Sequence, residues 1–305
     1  MLKEITILIP TYNRAELLDK NLESISTQDF KGKIKCVISD NASSDHTKDI
    51  VSKWKNRNMY ITYLKNKNEI PPIENFINAS KKIDTEYSKF LQDDDWLEPN
   101  ALSRMSYYFD LHQADELIFN CNIFSYNQNQ PRYNYYKLNN TQVSKDNVLN
   151  SFLRIDKTIP TSPSISVQKS EMIIEALNFS KKNIACTPLL LGNDLIFTYF
   201  GVFNHKKVHF INESVVNFWG GKDSITMYAD RHLFSSCYFN SLLMLIQKFN
   251  YKPTDPQLEV LRHRIFVHNF KKLYKKELKD IMYDSLYTQK LSYSQLLKYI
   301  KTKLT

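Results

Sequence analysis

Strand-like and helix-like segments alternate along the first 125 residues of this 305-residue chain. Short β-branched or aromatic runs are followed by stretches in which apolar residues recur at every third or fourth position. The predicted strands lie at residues 5–9, 35–39, 60–64, 87–91 and 117–124. This alternation predicts a mostly parallel, doubly wound α/β sheet, because neighbouring parallel strands are joined by right-handed crossovers through a helix.

Further elements are predicted within and beyond this alternating region. Asn13 and Glu16 predict a capping box at the start of the first helix. Residues 126–142, rich in Asn, Gln and Tyr, predict a polar loop, and residues 164–168 predict a strand at the edge of the sheet. Residues 189–203 predict a helix, and the chain from residue 262 onward is expected to be all-helical.

Polar motifs directly follow three of the predicted strands. Residues 10–14 read PTYNR, residues 40–45 read DNASSD, and residues 93–95 are three consecutive aspartates. In open α/β sheets, ligands bind outside the carboxyl ends of the strands. The three motifs are therefore expected to meet at one edge of the sheet and to form a ligand site there.

Asp93, Asp94 and Asp95 are the strongest candidate for such a site. Three carboxylates at one strand end repel one another unless a cation or a polar ligand offsets their charge. Carboxylate oxygens suit Mg²⁺ or Mn²⁺, which usually keep some waters and also bind phosphate oxygens. A solvated acidic turn before the next helix is the alternative interpretation of the same residues.

Two stretches taken together carry a family resemblance. The segment ITILIPTYNRAELLDKNLESI, followed later by FLQDDDWLEP, resembles the family 2 glycosyltransferases, and the resemblance covers about residues 3–226. It implies a GT-A fold, a nucleotide-sugar donor that is usually UDP-linked, and Mn²⁺ or Mg²⁺ as cofactor. Family members typically build bacterial surface polysaccharides, so the resemblance also implies a glycan or lipid-linked glycan as acceptor.

The resemblance assigns roles to residues of the first half. It implies that Asp95 is a direct metal ligand, that Asp93 contacts the ribose or the metal's surroundings, and that Asp94 helps to bind the donor. The other implied donor-binding residues are Pro10, Thr11, Tyr12, Arg14, Asp40, Asn68 and Asn75. Tyr12 offers a ring face for stacking, and Arg14 offers a fork of donors for phosphate oxygens.

The general base is expected in the second half, on the acceptor side of the sugar. Family members commonly carry Glu-Asp at the start of a helix there, and this chain has Asn193 followed by Asp194. We assign Asp194 as the base, with Asp223 and Asp230 as the next candidates. A helix N-cap is the structural alternative for Asp194. A base on the far side of the sugar from the diphosphate implies single displacement with inversion.

The segment NFWGGKDSIT at residues 217–226 predicts a flexible loop over the site. Trp219 either stacks on a sugar or anchors this loop, and Ser224 is the second candidate on the acceptor side. Both residues are expected to lie on the acceptor side of the site.

The chain is expected to have two regions, a domain that the resemblance implies and a basic C-terminal region. A GT-A domain is expected at residues 1–228, with a nucleotide-sugar half at about 1–125 and an acceptor half at about 126–228, and a basic helical region at 229–305. Of the net charge of +9, +8 lies within residues 262–305. This tail could contact an anionic membrane surface, mediate self-association into a homo-oligomer, or cap the domain as solvated helices.

The composition favours a folded protein, which is expected in the cytoplasm, with peripheral binding to the inner face of the cell membrane as an option. Hydrophobic residues make up 42% of the chain, which argues against wholesale disorder. No apolar run approaches the roughly eighteen residues of a membrane span, and the N-terminus lacks a signal-peptide pattern. The widely spaced Cys36, Cys121, Cys186 and Cys237 predict free thiols.

Three other functions remain open at this point. A sugar-phosphate nucleotidyltransferase would share the sheet and the metal carboxylates, but it needs a glycine-rich loop after the first strand, and the first glycine here is Gly32. A non-catalytic nucleotide-sugar or glycan-binding protein is kept open by Asn193, which replaces an acid. A nucleic-acid binder would use the basic tail, but no nucleic-acid partner is expected.

Overall fold

A computed structural model of the chain describes residues 2–55, 57–125, 139, 141–155, 159–183, 191–221, 231–262 and 264. The elements in chain order are β1 (Glu4–Thr11), α1 (Ala15–Ser26), β2 (Lys33–Asp40), α2 (Thr47–Trp54), β3 (Tyr60–Lys65), α3 (Pro72–Ser80), β4 (Tyr87–Phe90), β5 (Trp96–Leu97), α4 (Ala101–His112), β6 (Glu116–Ser125), β7 (Thr141–Gln142), α5 (Lys145–Leu153), a 3-10 turn (Pro163–Ile165), β8 (Ser166–Lys169), α6 (Ser170–Asn183), α7 (Asn193–Phe203), β9 (Val208–Gly220) and α8 (Arg231–Lys248).

The strands among the described residues form one sheet in the order β3-β2-β1-β4-β8-β6-β9-β5, with β7 paired to β9. β1 to β4 run parallel, and β6 and β9 are parallel to each other. β8 is antiparallel to both of its neighbours, and β5 and β7 are antiparallel to β9. The predicted mostly parallel α/β sheet is therefore confirmed, and the five strands predicted in the first 125 residues are present.

Apolar burial explains why the first half folds as predicted. Ile7, Leu8 and Ile9 of β1 are fully buried, as expected for a strand with helices on both faces of its sheet. On α1, Leu18 and Leu22 recur at helical spacing and are also fully buried. Burial of this kind stabilises a domain by about 25 cal/mol per Å² of apolar surface, which fixes the sheet on which the polar motifs stand.

The capping box predicted for α1 is wrong. Asn13 lies in the left-handed region with a φ of +52°, and its side chain accepts a hydrogen bond from the Ser44 backbone N–H at 2.8 Å. The first amide of α1, that of Ala15, donates instead to the Asp45 carboxylate at 3.0 Å. The Asp45 carboxylate of the loop after β2 thus takes the capping role expected of the Asn13 side chain, which ties the two loops together.

The predicted edge position of residues 164–168 is also wrong. β8 lies in the middle of the sheet, where Ser88 of β4 pairs with Gln168 and Leu117 of β6 pairs with Val167. Two of its polar side chains donate hydrogen bonds inside the protein, which allows a strand of this composition to lie in the middle of the sheet. Ser166 donates to the buried Glu116 at 2.6 Å, and Gln168 donates to a backbone carbonyl of α7 at 3.1 Å.

The C-terminal part of the described chain packs against α7. Phe249, just after α8, lies with its ring centroid 5.1 Å from that of Phe200 and 6.4 Å from that of Phe203. No helix in the described part of the chain is both long enough and apolar enough to cross a membrane. The expected free thiols are confirmed for Cys36 and Cys121, which are buried; Cys237 is also buried, and Cys186 lies outside the described residues.

Candidate active site

The ends of β1 and β2 place the first two motifs side by side. Thr11 and Asp40, the last residues of these strands, are register partners. Beyond them, the Asn13 backbone N–H donates to the Ser43 hydroxyl at 2.9 Å, which adds to the bonds that Asn13 and Ala15 make with residues 44 and 45. The loops that carry PTYNR and DNASSD are therefore fixed to each other by polar contacts.

Arg14 connects this pair of loops to the aspartates. One guanidinium nitrogen donates to the Asp93 carboxylate at 3.0 Å and to the Asp94 carboxylate at 2.8 Å. The Arg14 side chain is only 25% exposed, so these charge-assisted bonds are partly shielded from water. The expectation that the three motifs meet at one sheet edge is confirmed.

Desolvation marks Asp93 and Asp95 as unusual carboxylates. Each residue is 5% exposed. Burial raises the pKa of Asp93 to about 6, although Arg14 opposes this shift. Burial and the negative charge of Asp94 raise the pKa of Asp95 well above its usual range. Oδ2 of Asp95 is buried and has no hydrogen-bond partner in the part of the chain that the structure describes.

The aspartate cluster fits a hard divalent cation that takes its remaining ligands from elsewhere. Asp93 and Asp95 supply desolvated carboxylate oxygens, and one of these oxygens lacks a partner within the described chain. Among the described residues, no group of three or more His, Cys, Asp or Glu side chains could hold a metal ion. Mg²⁺ and Mn²⁺ suit such an incomplete site, because they keep waters and bind the phosphates of a substrate.

A buried lysine behind the aspartates was missed by sequence reasoning. Lys89 is fully buried in β4, and its ammonium donates to the carbonyls of Phe90 and Ser164 at 2.8 Å each. Burial lowers its pKa to about 7, and the charge of Asp95 opposes this shift. The only sequence signal was a lysine inside an otherwise buried strand.

The residues expected around the nucleotide lie at the same edge. Tyr12 is 42% exposed, and its hydroxyl donates to Glu69 at 3.0 Å, which raises the pKa of the phenol. Pro10 and Thr11 end β1. Asp40 is fully buried and accepts hydrogen bonds from the Ser43 backbone and the Tyr63 hydroxyl. In this structure Asp40 therefore shapes the loop, and its contact with the donor stays a prediction.

The two predicted asparagines occupy opposite environments. Asn68 is exposed in the loop between β3 and α3. Asn75 is buried, donates to the Ser39 carbonyl at 2.9 Å, and accepts from the Ser39 hydroxyl at 2.7 Å and from Asn66 at 3.0 Å. Asn75 thus holds α3 against the end of β2, and Asn66, which sequence reasoning missed, extends this network. Donor contacts by Asn68 and Asn75 stay predictions.

Asp194 lies at the second position of α7, after Gly192 at the N-cap. Asp194 is therefore not the N-cap residue, and its Oδ2 accepts a hydrogen bond from the Tyr238 hydroxyl at 2.9 Å. Burial raises the pKa of Asp194 to about 6, and the negative charge of Asp94 adds to this shift. The electrostatic effect of Asp94 links the predicted base to the aspartate turn. The other candidates for the base, Asp223 and Asp230, lie outside the described residues.

Aromatic side chains surround the position that follows Asp95. Trp96 lies with its ring centroid 4.9 Å from that of Phe124 and 6.5 Å from that of Trp219. The Lys20 ammonium lies 3.2 Å from the Trp96 ring centroid, a cation–π contact. Trp219 is therefore part of an aromatic cluster beside the aspartates, whereas Ser224 lies outside the described residues.

Known proteins resemble this chain in sequence and fold. The glycosyl transferase family 2 profile matches residues 6–174, more than half of the chain. An abequosyltransferase, RfbV, of Salmonella typhimurium is 37% identical over 113 residues, which cover 36% of this chain and 34% of the relative. A GalNAc(5)-diNAcBac-PP-undecaprenol beta-1,3-glucosyltransferase of Campylobacter jejuni is 37% identical over 103 residues, 33% of each chain.

The matched segments thus span about a third of the length of these relatives. A crystal structure of residues 1–349 of Staphylococcus aureus TarS in complex with UDP-GlcNAc has a TM-score of 0.63 at 17% identity, over 85% of this chain and 70% of that one. At that identity the likeness shows the fold alone, and it confirms the predicted GT-A architecture. On the strength of the family match over its sheet and aspartate turn, the chain belongs to glycosyl transferase family 2.

Proposed function

We propose that this protein is a glycosyltransferase that moves a sugar from a nucleotide-sugar donor, a UDP-sugar, to a hydroxyl group of a bacterial surface glycan. One observation carries the proposal: the turn that holds Asp93–Asp95 is joined by Arg14 to the loops after β1 and β2, and its charge acts on Asp194. The donor motifs therefore share one sheet edge, and the negative charge of Asp94 reaches the candidate base Asp194.

Each group has a chemical task in this proposal. The Tyr12 ring and the loops at the ends of β1 and β2 would hold the nucleoside, and Arg14 would exchange its carboxylate partners for phosphate oxygens. Asp93 and Asp95 would hold Mg²⁺ or Mn²⁺, which when bound neutralises charge on the departing diphosphate. Asp94 then remains to contact the donor.

Asp194 would take the proton of the acceptor hydroxyl. As that oxygen bonds to the anomeric carbon, the bond from this carbon to the diphosphate breaks, so one displacement inverts the configuration. A carboxyl group with a pKa of about 6 suits this task, because it is ionised at neutral pH and still basic enough to accept a proton. A base on the acceptor side requires no covalent intermediate.

The acceptor class is inferred from the relatives and from the aromatic cluster. One relative is named for a glycan carried on PP-undecaprenol, and another for poly(ribitol-phosphate). Aromatic faces such as that of Trp219 bind sugar rings by stacking, so we place the acceptor beside Trp219. A cytoplasmic location and contact of residues 262–305 with a membrane stay predictions, because nearly all of this tail lies outside the described residues.

The test is release of nucleotide from a panel of UDP-, GDP- and dTDP-sugars in the presence of Mn²⁺ or of EDTA. Slow release of free nucleoside diphosphate from one donor, abolished by EDTA and by Asp95→Ala, is the expected result. Release of pyrophosphate from a nucleoside triphosphate and a sugar phosphate would instead indicate a nucleotidyltransferase. Donor binding without turnover in any acceptor mixture would indicate a non-catalytic binding protein and overturn the proposal.

A further inference from the structure

The helix α8 contacts the predicted base, although it lies beyond residue 174, where the family match ends. From this contact we infer that Tyr238 is the positioning residue of Asp194: its hydroxyl holds one carboxylate oxygen and leaves the other to accept a proton. The inference rests on the proposed function, because it assumes that Asp194 is the base. It also makes α8 a working part of the active site rather than an appendage.

The backbone of α8 is held directly against the turn that begins α7. Gly192 has a φ of +86°, and a Cβ atom at this position would lie 2.6 Å from the Cys237 carbonyl oxygen and 2.8 Å from the Ser241 hydroxyl. Only glycine allows both this backbone conformation and this close approach. Tyr238 follows Cys237, so the same contact that seats the helix brings the tyrosine to the start of α7.

Ring packing fixes the direction of the Tyr238 hydroxyl. The Tyr238 ring stacks on Phe152 of α5 with centroids 6.3 Å apart and planes 19° apart. Phe152 in turn meets the Tyr199 ring of α7 edge-on, at 6.3 Å. Tyr238 is thus supported by Phe152 of α5, which itself packs on α7, the helix that carries Asp194. A side chain supported in this way loses little entropy when its hydroxyl orients a carboxylate.

The hydroxyl acts on only one oxygen of the base. Oδ2 of Asp194 accepts from Tyr238 at 2.9 Å, and no hydrogen bond to Oδ1 occurs within the described chain. Among the residues that the structure describes, the charged and titratable groups that act on Asp194 are Tyr238 of α8 and Asp94 of the turn after β4. The hydroxyl stabilises the ionised carboxylate, whereas burial and Asp94 favour the protonated form. Removal of the hydroxyl should therefore raise the pKa of the base.

The experiment compares pH–rate profiles of sugar transfer for the wild type, Tyr238→Phe and Tyr251→Phe. Tyr251 is a matched control, because its hydroxyl also donates to a carboxylate, that of Asp146, at 2.7 Å. For Tyr238→Phe we expect the acid limb of kcat to move up by about one pH unit. The free energy of a pKa shift of that size is close to the contribution of one hydrogen bond to a charged group. The donor KM should stay unchanged, and Tyr251→Phe should match the wild type.

A direct titration separates failure of this inference from failure of the proposed function. The carbon-13 signal of the Asp194 carboxyl group, assigned by its loss in Asp194→Asn, reports the pKa without any substrate. A higher pKa in folded Tyr238→Phe than in the wild type would support the positioning role even if no transfer were found. An unchanged pKa in a variant that melts at the wild-type temperature would overturn it. An acid limb that persists in Asp194→Asn would instead refute Asp194 as the base.

Discussion

The proposed donor site at the carboxyl ends of β1, β2 and β4, here called the donor edge, and the surroundings of Asp194, here called the base region, are stabilised in different ways. At the donor edge, polar groups of the loops after β1, β2 and β4 bond to one another through Asn13 and Arg14, and Asn75 of α3 bonds to Ser39 of β2. Around Asp194, one hydrogen bond to Tyr238 is surrounded by aromatic packing of α5, α7 and α8. Under the proposed function, donor binding would depend on a polar network, whereas catalysis would depend on how apolar helices place a single carboxylate.

The largest effect is expected at the donor edge. Asp95→Asn removes a buried negative charge at the proposed metal site, and transfer should fall at least about a thousandfold, because several kcal/mol of charge stabilisation are lost. Calorimetry should show loss of Mn²⁺-dependent UDP binding. Asp84→Asn, an exposed carboxylate that pairs with Lys35, is the control. Unchanged Mn²⁺-dependent UDP binding in Asp95→Asn would contradict the assignment of Asp95 to the metal and donor site.

Asp194→Asn should reduce transfer by about a hundredfold or more, the contribution typical of a general base. In contrast to Asp95→Asn, it should leave the donor dissociation constant within about twofold, because only the acceptor proton is affected. Calorimetry and initial rates measured on the same preparation would check this division. Equal losses of donor binding in both variants would show that the two regions form one site without separate tasks.

The same variant has an expected signature in stability. Because burial raises the pKa of Asp194 to about 6, above its value in the unfolded chain, the ionised group destabilises the fold. This destabilisation is small near pH 4, grows as the pH rises through about 6, and is constant above that. Asp194→Asn should therefore melt a few degrees higher than the wild type at pH 8, and the difference should shrink at pH 4.

Asn75→Ala and Asn68→Ala sharpen the comparison within the donor edge. Asn75→Ala leaves buried groups of Ser39 without partners and should lower the free energy of unfolding by about 1–3 kcal/mol. Asn68 is exposed, so Asn68→Ala should change stability by less than about 0.5 kcal/mol. Urea unfolding measures both values. A weaker donor affinity in Asn68→Ala with unchanged stability would assign Asn68 to the donor.

The smallest effect on the kinetics of transfer is expected for Trp219→Ala. Loss of one stacking face should raise the acceptor KM by about threefold to tenfold, which corresponds to a stacking contribution of about 0.5–1.5 kcal/mol. The donor KM should not change. Tyr107→Ala, an exposed aromatic residue on α4, is the control. A change in donor KM instead would show that Trp219 contacts the donor rather than the acceptor.

Contiguous motifs made much of the donor edge predictable. The strands of the first half, the meeting of the three loops and the aspartate turn follow from residues close in sequence, since strand ends gather at one sheet edge. Pairings distant in sequence could not be read in this way. Lys89 bonds to the Ser164 carbonyl, and Tyr238 bonds to Asp194, and neither pair has a local pattern. The capping box failed for the same reason, because Asp45 of another loop took its place.

The central position of β8 has a consequence for how the chain folds during synthesis. β4 and β6 are separated in the sheet by β8, so the strands of the first 125 residues cannot form a continuous sheet on their own. A nascent chain must emerge from the ribosome at least as far as Lys169 before the sheet can close. Until then the facing edges of β4 and β6 stay unpaired, which slows folding and exposes the growing chain to aggregation.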